Sequence, residues 1–99
     1  MRPMTVDMTE TRCRPYFLWD EDISIAELRR ELHDEASANR VRLLGKMLRE
    51  ARDIDVWSFL TPREVAHALA TVSTRLGRRR AFWEFLIRGW RDDGLLERP

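Results

Sequence analysis

Two histidines, one cysteine and a short acidic run are the residues whose types could do chemistry. His33 and His67 fall in different predicted helices, with no second histidine or cysteine at ligand spacing, so neither reads as part of a zinc site. Asp20, Glu21 and Asp22 could face a cation, but the run lacks the glycine and distal glutamate of a calcium loop. Carboxylates just ahead of a helix are explained by the positive end of its macrodipole. Cys13 and the serines have no sequence context that marks a nucleophile, and no glycine-rich phosphate loop is present. The expectation is a protein that is not an enzyme, with no catalytic residue, metal, cofactor or small-molecule substrate.

What remains is contact chemistry from arginines and aromatic rings. Near the C-terminus, Arg80, Glu84, Arg88 and Arg91 form a charge ladder on one face of a predicted helix. The pair 62–76 and 78–92, joined at Gly77, has the helix, short turn, helix outline of a DNA-binding unit. Its second helix is aromatic on most of its circumference, which fits a core helix better, so a small DNA-binding regulator is the alternative reading. Trp83 is the ring of that helix expected at the surface.

The elements that position these groups are all helical. A capping box over Ser24 and Glu27 opens a helix predicted over 25–35, carrying Ile25, Leu28 and Leu32. A small polar stretch, 36–39, breaks the chain. A second helix follows up to Arg52, with Val41, Leu44, Leu48 and Ala51 on one stripe. The chain then turns at 53–65, where Val56, Trp57, Phe59 and Leu60 are too dense in apolar surface to stay in water. Thr61, Pro62 and Glu64 supply three helix-start signals together. These patterns predict an all-α fold, one compact bundle of four to five short helices. Its expected core holds Leu28, Leu32, Leu44, Leu48, Val56, Trp57, Leu60, Leu69, Val72, Phe82 and Leu86. The expected organisation is a disordered tail over 1–14, a helical domain over 15–93 and a flexible tail over 94–99. Met1, Met4 and Met8 leave the true start open.

The chain holds 99 residues, enough for one domain with a single core. Its 18 basic and 17 acidic residues nearly cancel, which argues against gross polyanion binding. Acids concentrate before residue 36 and arginines after residue 62. A lone cysteine forbids an internal disulfide, and no apolar run approaches a membrane span or a secretory signal, so a cytoplasmic protein is expected.

Residues 15–22 form an arm ahead of the first helix, and Tyr16, Phe17, Leu18 and Trp19 crowd into it after Pro15. Such rings either anchor a partner or fold back on their own core. Tyr16 to Asp20, the central Ala51 and Arg52 with Asp55 to Thr61, and the late Arg78 to Trp83 with Trp90 together resemble a family of small bacterial proteins. Members are encoded just upstream of abortive-infection-type nucleotidyltransferase toxins and are taken as their antitoxins. The resemblance spans about Tyr16 to Trp90. This chain departs from the family in being acidic near Glu21, where another aromatic is common, and in the composition of its break at 36–39. The resemblance implies a protein that binds and silences such an enzyme by direct contact. Tyr16, Phe17, Trp19, Asp20, Arg80, Trp83 and Arg88 are the expected partner-binding residues.

Overall fold

Ser24 opens the first helix: in the computed structural model, which describes residues 1–97, its side chain accepts the Glu27 N–H at 3.1 Å. That helix, α1 (Ile25–Leu32), buries Ile25, Leu28 and Leu32. The reciprocal half of the capping box is replaced, because the Glu27 carboxylate pairs with Arg2. A polar connection, with the Asp34 side chain accepting the Ala36 N–H at 3.0 Å, leads into α2 (Arg40–Glu50). This is the central helix, touching every other one, and Leu43, Leu44, Met47 and Leu48 are buried along it.

The expected hinge contains one helical turn, α3 (Asp53–Val56). Val56, Phe59 and Leu60 are buried as the residue pattern requires, and Trp57 is half-buried. Thr61 and Glu64 then form the full capping box, at 3.1 and 2.9 Å, and Pro62 opens α4 (Pro62–Val72). The predicted helix over 62–76 stops earlier, tightening into a 3₁₀ turn at Ser73–Arg75. Gly77 takes a φ of +55°, a conformation that costs a side-chain-bearing residue steric strain, and α5 (Arg79–Asp92) begins.

The all-α bundle thus agrees with the pattern, and four details correct it. Residues 1–14, expected as a disordered tail, fold back on the domain. A two-residue parallel pairing joins β1 (Met4–Thr5) to β2 (Arg14–Pro15), and the main chain continues the contact through Ile25 N–H to Cys13 C=O at 2.9 Å. Met8 is buried with the core. Residues 94–97 also turn back, with the Leu95 N–H donating to Trp90 C=O at 2.8 Å, and Leu96 packs on the core. The rest of the expected flexible tail, 98–99, lies outside the described residues. The first helix ends at Leu32, short of residue 35. Finally, Phe82, expected in the core, is 37% exposed, while Trp83 is wholly buried. No helix among the described residues is long and apolar enough to cross a membrane.

Candidate partner-binding groove

The arm divides between core and surface. A 3₁₀ turn at Tyr16–Leu18 carries it, and Phe17 and Leu18 are 2% and 0% exposed. Phe17 meets the hinge ring Phe59 edge-on, with centroids 6.1 Å apart. The Tyr16 hydroxyl donates to Asp55 Oδ2 at 2.5 Å and accepts the Arg52 backbone N–H at 2.8 Å. Burial, then the Asp55 carboxylate, pushes the Tyr16 phenol above its ordinary pKa. Of the two readings of the arm, folding back on its own core therefore describes Tyr16 and Phe17, whose rings are used inside the domain.

Trp19 is different. Its side chain is 64% exposed, yet its backbone is fixed, because the buried Arg14 donates Nη1–H to the Trp19 carbonyl at 2.7 Å. Arg14 is in turn held by a bond from Nε–H to the Arg2 carbonyl. The 1–14 segment therefore positions Trp19.

Beside that ring runs a groove of about 640 Å³, lined by Trp19 and Asp20 on one side and by Arg42, Lys46, Arg49 and Arg75 on the other. Residues 42, 46 and 49 are spaced to share one face of α2. Gly45 admits Arg75 across that helix: a Cβ at Gly45 would stand 3.1 Å from the Arg75 side chain. Arg49 Nη1–H also donates to the Arg75 carbonyl at 3.2 Å, tying the turn after α4 to α2. Four cations thus face Asp20 and Glu50 in the lining, with Glu21 behind them.

The groove's charges are linked to the arm. Lys46 Nζ bonds Asp20 and lies 2.8 Å from Glu21 Oε2, which Arg42 Nη1 also reaches at 2.8 Å. The bond from Lys46 holds the Asp20 carboxyl below the usual range. The Arg42 bond leads in doing the same for Glu21, outweighing the upward pull of partial burial. Burial draws the Lys46 ammonium down, and its bonds to Asp20 and Glu21 more than reverse this. At neutral pH the cluster is fully ionised, and it fixes the arm to α2.

Trp19 and Asp20 are thus the expected partner-binding residues that the fold brings together. Trp83 is corrected: it is 0% exposed, its indole N–H donates to the Leu48 carbonyl at 2.8 Å, and it cannot reach a partner from there. Arg80 and Arg88 are exposed on α5, outside the groove lining, and Arg80 is paired with Glu84 at 2.7 Å. Sequence reasoning missed Arg42, Lys46, Arg49 and Arg75. The first three had a signal, a cationic stripe at helical spacing beside the apolar one. Arg75 had none, since its place depends on a glycine in another helix. No family model matches this chain, nor does any curated protein or solved structure.

Proposed function

We propose that this chain is a non-catalytic cytoplasmic protein that binds another protein through the Trp19 groove. In keeping with the family its sequence resembles, its partner is a nucleotidyltransferase-type toxin, silenced by direct contact. The observation that carries the proposal is Trp19: a large ring exposed to water on a backbone fixed by a buried arginine. A backbone ordered before binding leaves only the side chain's own rotation to be lost when a partner covers it, and tryptophans at interfaces commonly carry much of the binding energy. Arg42, Lys46 and Arg49 beside it are already paired with the domain's own Glu21, Asp20 and Glu50, so the ring rather than net charge carries the contact.

The test is to express the product of the adjacent downstream gene in a host cell, alone, with this chain, and with its Trp19→Ala variant. Growth should be arrested by the neighbour alone, restored by the full chain with co-purification, and restored poorly by the variant at equal soluble level. Toxicity that this chain neither relieves nor binds would overturn the antitoxin reading. Full rescue by Trp19→Ala would overturn the groove as its site.

A further inference from the structure

We propose that this chain forms a two-fold homodimer through the outward flank of α5, with Phe85 on the axis. The inference does not use the Trp19 groove. α5 turns Trp83 and Ile87 inward and leaves Phe85 73% exposed and Phe82 37% exposed on another side. Large rings in water mark an interaction surface when they share a face. At about 3.6 residues per turn, positions 78, 81, 82, 88, 89 and 92 all lie within about 60° of Phe85 around the helix.

Gly89 gives the second observation. Glycine is among the poorest residues for a helix interior. Its φ here is not positive, and a Cβ would meet nothing within 4 Å, so no turn or close approach inside the chain accounts for it. A second helix crossing at that point would, because the missing side chain lets two backbones approach closely.

The occupant follows from the symmetry of the stripe. In an antiparallel pair with its axis at Phe85, each residue meets the one equally far on the other side. Ala81 and Gly89 stand four residues before and after, placing small against small. Arg78 and Asp92 stand seven before and after, placing a cation beside a carboxylate that also has a contact within its own chain. Phe82 and Arg88 stand three before and after, placing a ring against a guanidinium. Every pairing is complementary, as a self-associating surface requires. The seam is about 21 Å long, four helical turns, which suits a reversible dimer better than an obligate one.

Sedimentation of the full chain from about 1 to about 500 µM tests this, a range chosen to bracket weak dimers. A concentration-dependent dimer is expected. Phe85→Glu, which sets two carboxylates face to face on the axis, should raise the dissociation constant about a hundredfold or more. Gly89→Leu should abolish the dimer while keeping or raising helicity, which guards against mistaking unfolding for dissociation. Arg78→Glu should weaken the dimer, and adding Asp92→Arg should restore it. A monomer throughout the range, a dimer indifferent to Phe85→Glu and Gly89→Leu, or a double reversal that fails to rescue would each overturn the proposal. A monomer whose Phe85→Glu variant loses a toxin-type partner would overturn it too, and would assign the face to that partner.

Discussion

The arm and α5 are the two aromatic-rich regions, and each puts one ring inside and another in water. In the arm, Phe17 is 2% exposed and Trp19 is 64% exposed; in α5, Trp83 is 0% exposed and Phe85 is 73% exposed. They differ in how the outward ring is held. Trp19 sits on an irregular turn whose carbonyl is fixed by the buried Arg14, beside a cluster of paired charges. Phe85 sits on a regular helix and is placed by the way Trp83 and Ile87 face inward. A ring whose main chain is held by side chains from elsewhere can be removed without moving the fold around it. A ring whose direction depends on a helix's rotation is as secure as the buried residue that sets that rotation.

The largest effect should come from Trp83→Ala, at roughly 3 to 5 kcal/mol, since it deletes a fully buried indole and leaves the Leu48 carbonyl without its donor. Chemical denaturation of Phe85→Ala should differ from the full chain by no more than about 0.5 kcal/mol. Equal costs for the two would mean that α5 is rotated from the orientation described.

Phe17→Ala should also cost about 3 kcal/mol or more, whereas Trp19→Ala should leave the melting temperature within about a degree or two. It follows that deleting residues 1–19 would damage folding, because Phe17 and Leu18 belong to the core. Loss of binding by that truncation would say nothing about the groove. Tyr16→Phe comes next, at about 1 to 3 kcal/mol, because Asp55 and the Arg52 N–H lose their shared hydroxyl. An unchanged unfolding midpoint would show that the arm is not clamped to the hinge.

The smallest effect concerns pH. The Glu21 carboxyl is depressed in the folded chain, chiefly by Arg42, so its pairing stabilises the fold at neutral pH and is lost as pH falls below about 4, through the folded value. Solvent screening limits this to less than about 1 kcal/mol. Glu21→Gln should flatten the acid limb of the stability curve by that amount, and an unaltered limb would remove the charge cluster from the account.

Much of this fold was written in local pattern. The hydroxyl caps at Ser24 and Thr61 each act through a residue three positions on, so spacing alone reveals them. Leu28, Leu44 and Leu48 sit on stripes with polar residues opposite, which fixes their direction. The rotation of α5 was not legible in this way, because Phe82, Trp83, Phe85 and Leu86 make two faces apolar, and the choice falls to a bond between Trp83 and Leu48, far apart in sequence. Residues 1–14 have no hydrophobic period; they are shaped by bonds such as Thr5 Oγ1 with Glu10 and the Asp7 side chain with Thr9, which leave little trace in composition. Of the groove, Trp19 and Asp20 were named because rings crowd after Pro15, while Arg75 reaches it only through the gap at Gly45.

The most direct test of the groove as a binding site is calorimetric titration of the adjacent gene's product with the full chain and with Trp19→Ala, both checked for equal melting temperature. Loss of the anchor should raise Kd about thirtyfold to a hundredfold, equivalent to roughly 2 to 3 kcal/mol. An affinity unchanged by Trp19→Ala, with the fold intact, would contradict the account.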